Sequence, residues 1–267
     1  MLWIFFVNYF LYIASVNVPK RPTPMKICVA QIKPFKGAIK KNIASHLELI
    51  ALAIDAQVSA VFFPELSMTG YEPDLASSLA TTQNDERFDV FQKISDTKNI
   101  TIGFGVPTVG VSKPLVSMLI FQPTKERLTY SKQYLYQGEE RYFESGQKHC
   151  FIQIGAQKIA AAICYESTVP EHSEAAISQS ATIYVAAVMT SLSGVNKKLN
   201  ALSSVAKKHK IIVLMANFVG ISGGSESAGR SSIWNQKGDL KGQMNSKAEG
   251  LLIYDTNTDS IIEKIKR

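Results

Sequence analysis

From Met25 onward, short apolar segments alternate with longer segments whose apolar residues recur three and four positions apart. The β-branched, apolar run 26–31 is typical of a strand, and the run 60–63 is typical of a second, buried one. Between them, residues 38–56 place their apolar side chains on one face of a helix. This alternation predicts an α/β domain with one continuous core.

The remainder of the chain continues the pattern, with more strands than helices. Because strands outnumber helices, we expect two sheets covered by helices rather than a closed barrel, although composition alone does not decide between them. Predicted strands cover 100–106, 117–122, 128–132, 152–154, 158–163, 182–188, 211–216, 230–234 and 250–255, and predicted helices cover 86–97, 171–179 and 195–209.

Residues 1–24 need a separate interpretation, because residues 1–17 are nearly all apolar and the first charge is Lys20. A secretory signal usually carries positive charge before its apolar core, and the segment is short for a membrane span. A signal or weak anchor stays open as an alternative. We predict instead an extension before a start at Met25, outside a folded domain of residues 25–267.

The net charge of +7, from 29 basic and 22 acidic residues, can indicate nucleic acid, a membrane surface or an anionic substrate as partner. Here the lysines are spread in short pairs along predicted helices and turns. No basic run is interleaved with aromatic residues. We therefore expect neither a nucleic-acid nor a membrane partner.

The chain has three cysteines, Cys28, Cys150 and Cys164. An odd number, in a chain large enough to fold without crosslinks, argues against a disulfide framework and favours the reducing cytoplasm. The sequence contains no CxxC pair and no HExxH segment, so a zinc site is not expected. No metal or organic cofactor is predicted.

Three segments place a reactive side chain where an apolar strand is predicted to end, which is where catalytic groups of α/β proteins tend to lie. The first is Glu65, which follows the apolar run 61–63. A carboxylate against that much apolar surface is expected to have a raised pKa and would suit a general base. Taken alone, a solvent-facing glutamate is the commoner alternative.

The other two segments hold Lys132 and Cys164. Lys132 lies in the aromatic stretch 130–136, where an ammonium can donate to a developing oxyanion, or can simply reach the surface. Cys164 lies between a predicted strand and a predicted helix, an arrangement that exposes a nucleophile. The alternative for a cysteine is a small buried hydrophobe, and we predict that role for Cys28 and Cys150.

In their order along the chain, these segments resemble the nitrilase superfamily of carbon–nitrogen hydrolases over nearly all of residues 25–267. The cysteine segment with its Pro-Glu is specific, and the occurrence of all three segments together is a strong signal. The resemblance is carried by VAQ in the first strand, PELSMTGY around Glu65, GEERYFESG after Lys132, ICYESTVPE around Cys164, NFVG at 217–220 and GRSSIWNQKGDL at 229–240.

The resemblance implies a role for each of these residues. Cys164 attacks the carbonyl or nitrile carbon, while Glu65 takes the thiol proton, passes it to the leaving amine and later activates water. Lys132 and the backbone N–H of Tyr165 stabilise the oxyanion. A second glutamate supports the lysine, and the alignment of RYFESG places it at Glu139 rather than at its neighbour.

Substrate specificity is expected to come from loops around the pocket. We predict that residues 72–85 and 189–199 form parts of its wall. For one candidate, Tyr71, core packing is the alternative. The candidate substrate-binding residues are Tyr71, Tyr165, Met189 and Thr190.

The resemblance also implies a four-layer α-β-β-α sandwich, a homodimer, and a carbon–nitrogen hydrolase domain at residues 25–267. The predicted function is hydrolysis of a small linear amide or N-carbamoyl amine through a cysteine thioester, with a nitrile as the less favoured substrate. An N-acyltransferase of the same superfamily is one alternative, to which the apolar N-terminus points. A non-catalytic binding protein on this fold is another, against which the three intact reactive residues argue.

Overall fold

The computed structural model describes residues 25–266, so the predicted extension at 1–24 lies outside the described residues. The strands are β1 (Lys26–Gln31), β2 (Ala60–Phe62), β3 (Thr101–Thr108), β4 (Leu115–Phe121), β5 (Leu128–Ser131), β6 (Phe151–Ile154), β7 (Gln157–Ile163), β8 (Ile183–Ala187), β9 (Ile212–Ala216), β10 (Val219–Ser222), β11 (Ser225–Ala228), β12 (Ser232–Trp234), β13 (Leu240–Gln243), β14 (Gly250–Asp255) and β15 (Ser260–Ile265). The α-helices are α1 (Ile39–Asp55), α2 (Ala76–Leu79), α3 (Asp89–Lys98), α4 (Pro170–Ser178) and α5 (Val195–His209).

These strands form two large sheets and one separate hairpin. The first sheet has the order β15-β14-β1-β2-β3-β4-β5, the second has the order β13-β12-β9-β8-β7-β6, and β10 pairs with β11. In each sheet the three central strands are parallel, β1 with β2 and β3 and β7 with β8 and β9, whereas the outer strands pair antiparallel.

The central strands are buried on both faces. Alternate side chains of a strand point to opposite sides, so each of these strands contributes to a core on either side of its sheet. In β1, Ile27 and Val29 belong to the core between the two sheets, while Cys28 packs with residues of α1 and α3. In β7, Ala161 belongs to the same central core, while Ala162 packs with residues of α4 and α5. The order of layers is helix, sheet, sheet, helix, which confirms the predicted α-β-β-α sandwich.

Parallel strands bring their carboxyl ends to one edge of a sheet, where functional side chains of α/β proteins tend to meet. Lys132 directly follows β5, Cys164 directly follows β7, and Glu65 lies three residues after the end of β2. Residues 188–191 follow β8 at the same edge of the second sheet. Among residues 25–266, no helix is long and apolar enough to cross a membrane.

Candidate active site

The nucleophile candidate lies on a strained turn between a strand and a helix. Cys164 begins the short 3-10 helix Cys164–Thr168 and has a φ of 51°, a left-handed backbone conformation that costs energy for a residue with a side chain. Such a turn presents a nucleophile at the end of a strand. The Sγ atom lies 3.5 Å from the backbone oxygen of Met189 and lines a pocket.

A buried ammonium joins two buried carboxylates beside this thiol. Lys132 Nζ donates to Glu65 Oε1 at 2.8 Å and to Glu139 at 2.8 Å, and the lysine side chain is fully buried. Burial alone would lower the pKa of Lys132, but the charges of Glu65 and Glu139, and that of Cys164 in its thiolate form, raise it above its ordinary value. The lysine is therefore held as an ammonium.

Glu139 is fixed from three directions. Besides Lys132, it accepts a hydrogen bond from the Tyr71 hydroxyl at 2.7 Å and one from the backbone N–H of Tyr136 at 2.7 Å. Its neighbour Glu140 is exposed and instead caps a turn. The structure thus places Glu139, and not the next residue, against the lysine, as the alignment predicted.

Glu65 has one oxygen in use and one available. Its Oε1 accepts from Lys132, while its Oε2 is buried and has no hydrogen-bond partner among the described residues. Burial raises the pKa of Glu65, and the ammonium of Lys132 opposes that rise. A buried oxygen without a donor is costly, so this atom is suited to receive a proton or a donor from the thiol, a substrate or water.

The thiol itself is protonated at neutral pH. Burial and the neighbouring Glu65 carboxylate raise the pKa of Cys164 to about 12, while the ammonium groups of Lys198 and Lys132 oppose the rise. A thiol with such a pKa needs a base during attack, because only the thiolate is a good nucleophile. Glu65 is close enough to Cys164 to interact with it, and its raised pKa suits a base that accepts the thiol proton.

A cavity of about 420 Å³ opens onto these groups. This volume is suited to a small molecule. All four predicted substrate-binding residues contribute to its wall, together with Glu65, Glu139 and Cys164; these four are Tyr71, Tyr165, Met189 and Thr190. Their contacts with a substrate stay a prediction.

One part of the predicted wall is wrong. No residue of 72–85 lines the cavity, and Gly223 and Ser225 of the β10–β11 hairpin contribute instead. The second predicted segment, 189–199, contributes Met189, Thr190, Ser191, Gly194, Lys197 and Lys198. Backbone hydrogen bonds join Thr81 to Pro107 of β3 and to Val109 just after it, so this end of the segment runs along the first sheet. The sequence does not show whether residues 72–85 line the cavity, because the segment is polar and loop-like in either case.

The Thr190 segment of the wall is held by a buried asparagine that the sequence analysis did not single out. Asn217 Oδ1 accepts from the backbone N–H of Thr190 at 3.0 Å, and Asn217 Nδ2 donates to the backbone oxygens of Thr190 and Gly229. Its position directly after β9, within the NFVG string, was the available signal.

Lys198 is a further side chain of the site that sequence reasoning missed. From α5 its Nζ donates to the backbone oxygen of Cys164 at 2.8 Å and lies 3.5 Å from Ser167 Oγ. It also lines the cavity. Nothing in the spacing of α5 distinguishes it from the other lysines of that helix.

We predict that Lys198→Met slows alkylation of Cys164 at neutral pH. The ammonium favours the thiolate, so its loss raises the thiol pKa further and lowers the thiolate fraction by roughly 3- to 10-fold at a given pH. The measurement is the rate of iodoacetamide modification of Cys164, followed by mass spectrometry from about pH 6 to about pH 10.

Lys207→Met is the matched control, since this exposed lysine lies on the same helix, remote from Cys164. Its alkylation profile is expected to match that of the wild type. Equal profiles for the Lys198 variant and the wild type would contradict the electrostatic role.

An α-β-β-α sandwich with a cysteine and two glutamates at one cavity, and a lysine buried against both glutamates, defines the class of carbon–nitrogen hydrolases. The model of the carbon-nitrogen hydrolase family matches residues 26–266, and the chain belongs to this family. The family resemblance and the enzyme class predicted from the sequence are confirmed. Among residues 25–266, no group of three or more His, Cys, Asp or Glu side chains is arranged to hold a metal ion.

Individual relatives are distant. The chain is 21% identical to the hydrolase in the agr operon of Staphylococcus aureus over 89% of this chain and 93% of that protein. It is 25% identical to glutamine-dependent NAD(+) synthetases from Thermotoga maritima and Acinetobacter baylyi, over 58% and 85% of this chain. The chain spans 28% and 43% of the length of those two synthetases.

Solved structures of an amidase from Nesterenkonia sp. AN1 share the fold. A Cys-to-Ala mutant in complex with butyramide superimposes with a TM-score of 0.80 at 21% identity, covering 88% of this chain and 92% of that one. Another structure of that amidase, with a TM-score of 0.79 at 22% identity over 86% and 90% of the two chains, carries the acetamide moiety of fluoroacetamide on its active-site cysteine.

Proposed function

We propose that this carbon–nitrogen hydrolase cleaves a small linear amide or an N-carbamoyl amine through a thioester on Cys164. The observation that carries the proposal is the free Oε2 atom of Glu65 beside a protonated thiol, in the same cavity. The Nesterenkonia amidase, whose active-site cysteine is modified by fluoroacetamide, supports the choice of the cysteine.

In the first half of the reaction, Glu65 accepts the thiol proton as Sγ attacks the carbonyl carbon. The ammonium of Lys132 and the backbone N–H of Tyr165 donate to the developing oxyanion, whose stabilisation is usually the largest contribution to such a rate. Glu65 then gives the proton to the leaving nitrogen. The carbon–nitrogen bond breaks, the amine or ammonia departs, and a thioester remains.

In the second half, a water molecule replaces the amine. Glu65 takes a proton from the water as it attacks the thioester carbonyl, and the carbon–sulfur bond then breaks. The sulfur recovers the proton from Glu65, and the acid product departs. For an N-carbamoyl substrate that product is carbamic acid, which decomposes to carbon dioxide and ammonia.

The size of the cavity supports small substrates, and two relatives support the amide group. The amidase mutant was solved in complex with butyramide, and the synthetases depend on glutamine, which has a side-chain amide. The homodimer and the cytoplasmic location implied earlier stay predictions.

The test is ammonia release by the purified full chain from a panel of butyramide, glutamine and other ω-amides, N-carbamoyl amines and nitriles. We expect release from at least one amide or N-carbamoyl amine, and none from nitriles. A silent panel together with a Cys164 thiol that resists iodoacetamide would favour the non-catalytic binding protein. Transfer of an acyl group to an added amine, faster than hydrolysis, would favour the acyltransferase.

A further inference from the structure

Resting on the proposed function, we propose that Glu166 is a positioning residue that sets Lys132 against Cys164. Glu166 is fully buried in the turn after the nucleophile. Its Oε1 accepts from the backbone N–H of Ile163 at 2.7 Å, and its Oε2 accepts from the backbone N–H of Gln133 at 2.6 Å. One carboxylate therefore holds the residue before the nucleophile in one sheet and the residue after the lysine in the other.

The carboxylate accepts two further hydrogen bonds. The Tyr130 hydroxyl donates to Oε1 at 2.5 Å, and the backbone N–H of Tyr134 lies 3.3 Å from Oε2. Four donors thus occupy two oxygens, which is the full capacity of an ionised carboxylate. Burial raises the pKa of Glu166 to about 7, and the donors from Tyr130 and Ile163 oppose the rise. In the ionised form all four donors are satisfied.

A series of buried, hydrogen-bonded side chains extends from this carboxylate. Because Tyr130 donates to Glu166, its oxygen is the acceptor for His172 Nε2 at 2.7 Å. His172 Nδ1 then accepts from the Tyr184 hydroxyl at 2.6 Å. Burial, with a contribution from the neighbouring His149, lowers the pKa of His172 to about 3, so the ring is neutral and carries the single N–H that this pattern needs. A satisfied buried network of this kind is rigid.

The position of Glu166 has a direct kinetic consequence. Lys132 and Cys164 come from different sheets, and the carboxylate is a hydrogen-bonded link between their backbones. A displacement of about 1 Å between catalytic groups can cost about 100-fold in rate. Glu166 itself does not line the cavity, so substrate binding should depend on it much less.

The test compares Glu166→Gln and Glu166→Asp with Thr182→Val in the full chain, using the best substrate of the panel above. Glutamine replaces one acceptor oxygen by an NH₂ donor, so either the N–H of Ile163 or that of Gln133 loses its acceptor. Aspartate keeps the charge but is one methylene too short to hold both N–H groups. Valine at 182 removes the hydroxyl oxygen that accepts from the backbone N–H of Lys158 at 3.0 Å, which lies at the amino ends of β7 and β8 and outside the Glu166 network.

For both Glu166 variants we expect kcat to fall by about 10- to 100-fold with KM changed by less than about threefold. Thr182→Val is expected to keep kcat within about threefold, even where its melting temperature falls as far as theirs. The positioning role is overturned if the Glu166 variants keep wild-type kcat, or if their kcat falls only as far as that of Thr182→Val at equal melting temperature. Wild-type protein no more active than Cys164→Ala would instead remove the proposed function.

Discussion

Cys164→Ala is expected to abolish hydrolysis of the best amide substrate, with kcat reduced by at least about 10⁴-fold. Alanine removes the atom that forms the thioester, and no other cysteine is able to replace it, since Cys28 is buried in the helix-facing core. Ammonia release under saturating substrate is the measurement. The fold should persist, because the residue is at the cavity and its backbone contact with Lys198 is kept.

Cys150→Ala serves as the matched control for this variant. Cys150 is partly buried against the central core and does not line the cavity. Its replacement is expected to leave kcat within about threefold of the wild type. Activity retained by the Cys164 variant, or lost equally in both, would contradict the assignment of the nucleophile.

Lys132→Met is the second variant with a large expected effect, and it should affect both activity and stability. Without the ammonium, Glu65 and Glu139 remain buried without their shared cation, which costs about 3–5 kcal/mol of folding free energy. The pKa of Glu65 then rises further, because the cation that lowers it is gone. At neutral pH, fewer molecules then have an ionised Glu65. The oxyanion also loses the Lys132 ammonium as a donor, which costs about 10²–10³-fold in rate.

A double variant separates these two effects. Lys132→Met with Glu139→Gln removes one of the two buried charges, so we expect part of the lost melting temperature to return. Activity is expected to stay lost, since the ammonium is still missing. The measurements are thermal unfolding and kcat at about pH 7 and about pH 9. A double variant that regains activity together with stability would show that Lys132 acts only as a structural ion-pair partner.

Much of the fold was predictable because the central elements carry strong periodic patterns. Helix α1 begins and ends one residue inside the predicted segment 38–56, and the strands β1 and β14 have the predicted bounds. These elements bury a continuous apolar face, and such a face is visible in a single sequence. The predicted helix at 86–97 is a 3-10 turn, Glu86–Phe88, followed by α3.

Strands with weak patterns were missed. The hairpin strand β11 has the sequence SESA, and the edge strand β15 exposes much of its length. Their backbones are paired by neighbouring strands rather than by burial of apolar side chains, so no periodic signal marks them. Gly223 and Ser225 of the β10–β11 hairpin line the cavity, whereas no residue of the predicted wall segment 72–85 does.

The site was predictable where reactive residues follow apolar strands. Glu65, Lys132 and Cys164 each do so, and the structure brings them together at the adjoining edges of the two sheets. Lys198 and the partners of Glu166 could not be found in this way. Lys198 lies on a helix face, and Glu166 is bound by three backbone N–H groups and one tyrosine hydroxyl. The role of both residues depends on how distant parts of the chain pack against each other.

The most direct test of the thioester account is the intact mass of the wild-type chain, quenched in acid during turnover of its best amide substrate. If Cys164 forms a thioester, a fraction of the protein is heavier by the acyl group of the substrate, and the added mass lies on the peptide that contains Cys164. The same experiment on Cys164→Ala should show no added mass. Turnover with no adduct, under conditions where added hydroxylamine also traps no acyl product, or an adduct on a different residue, would contradict the account.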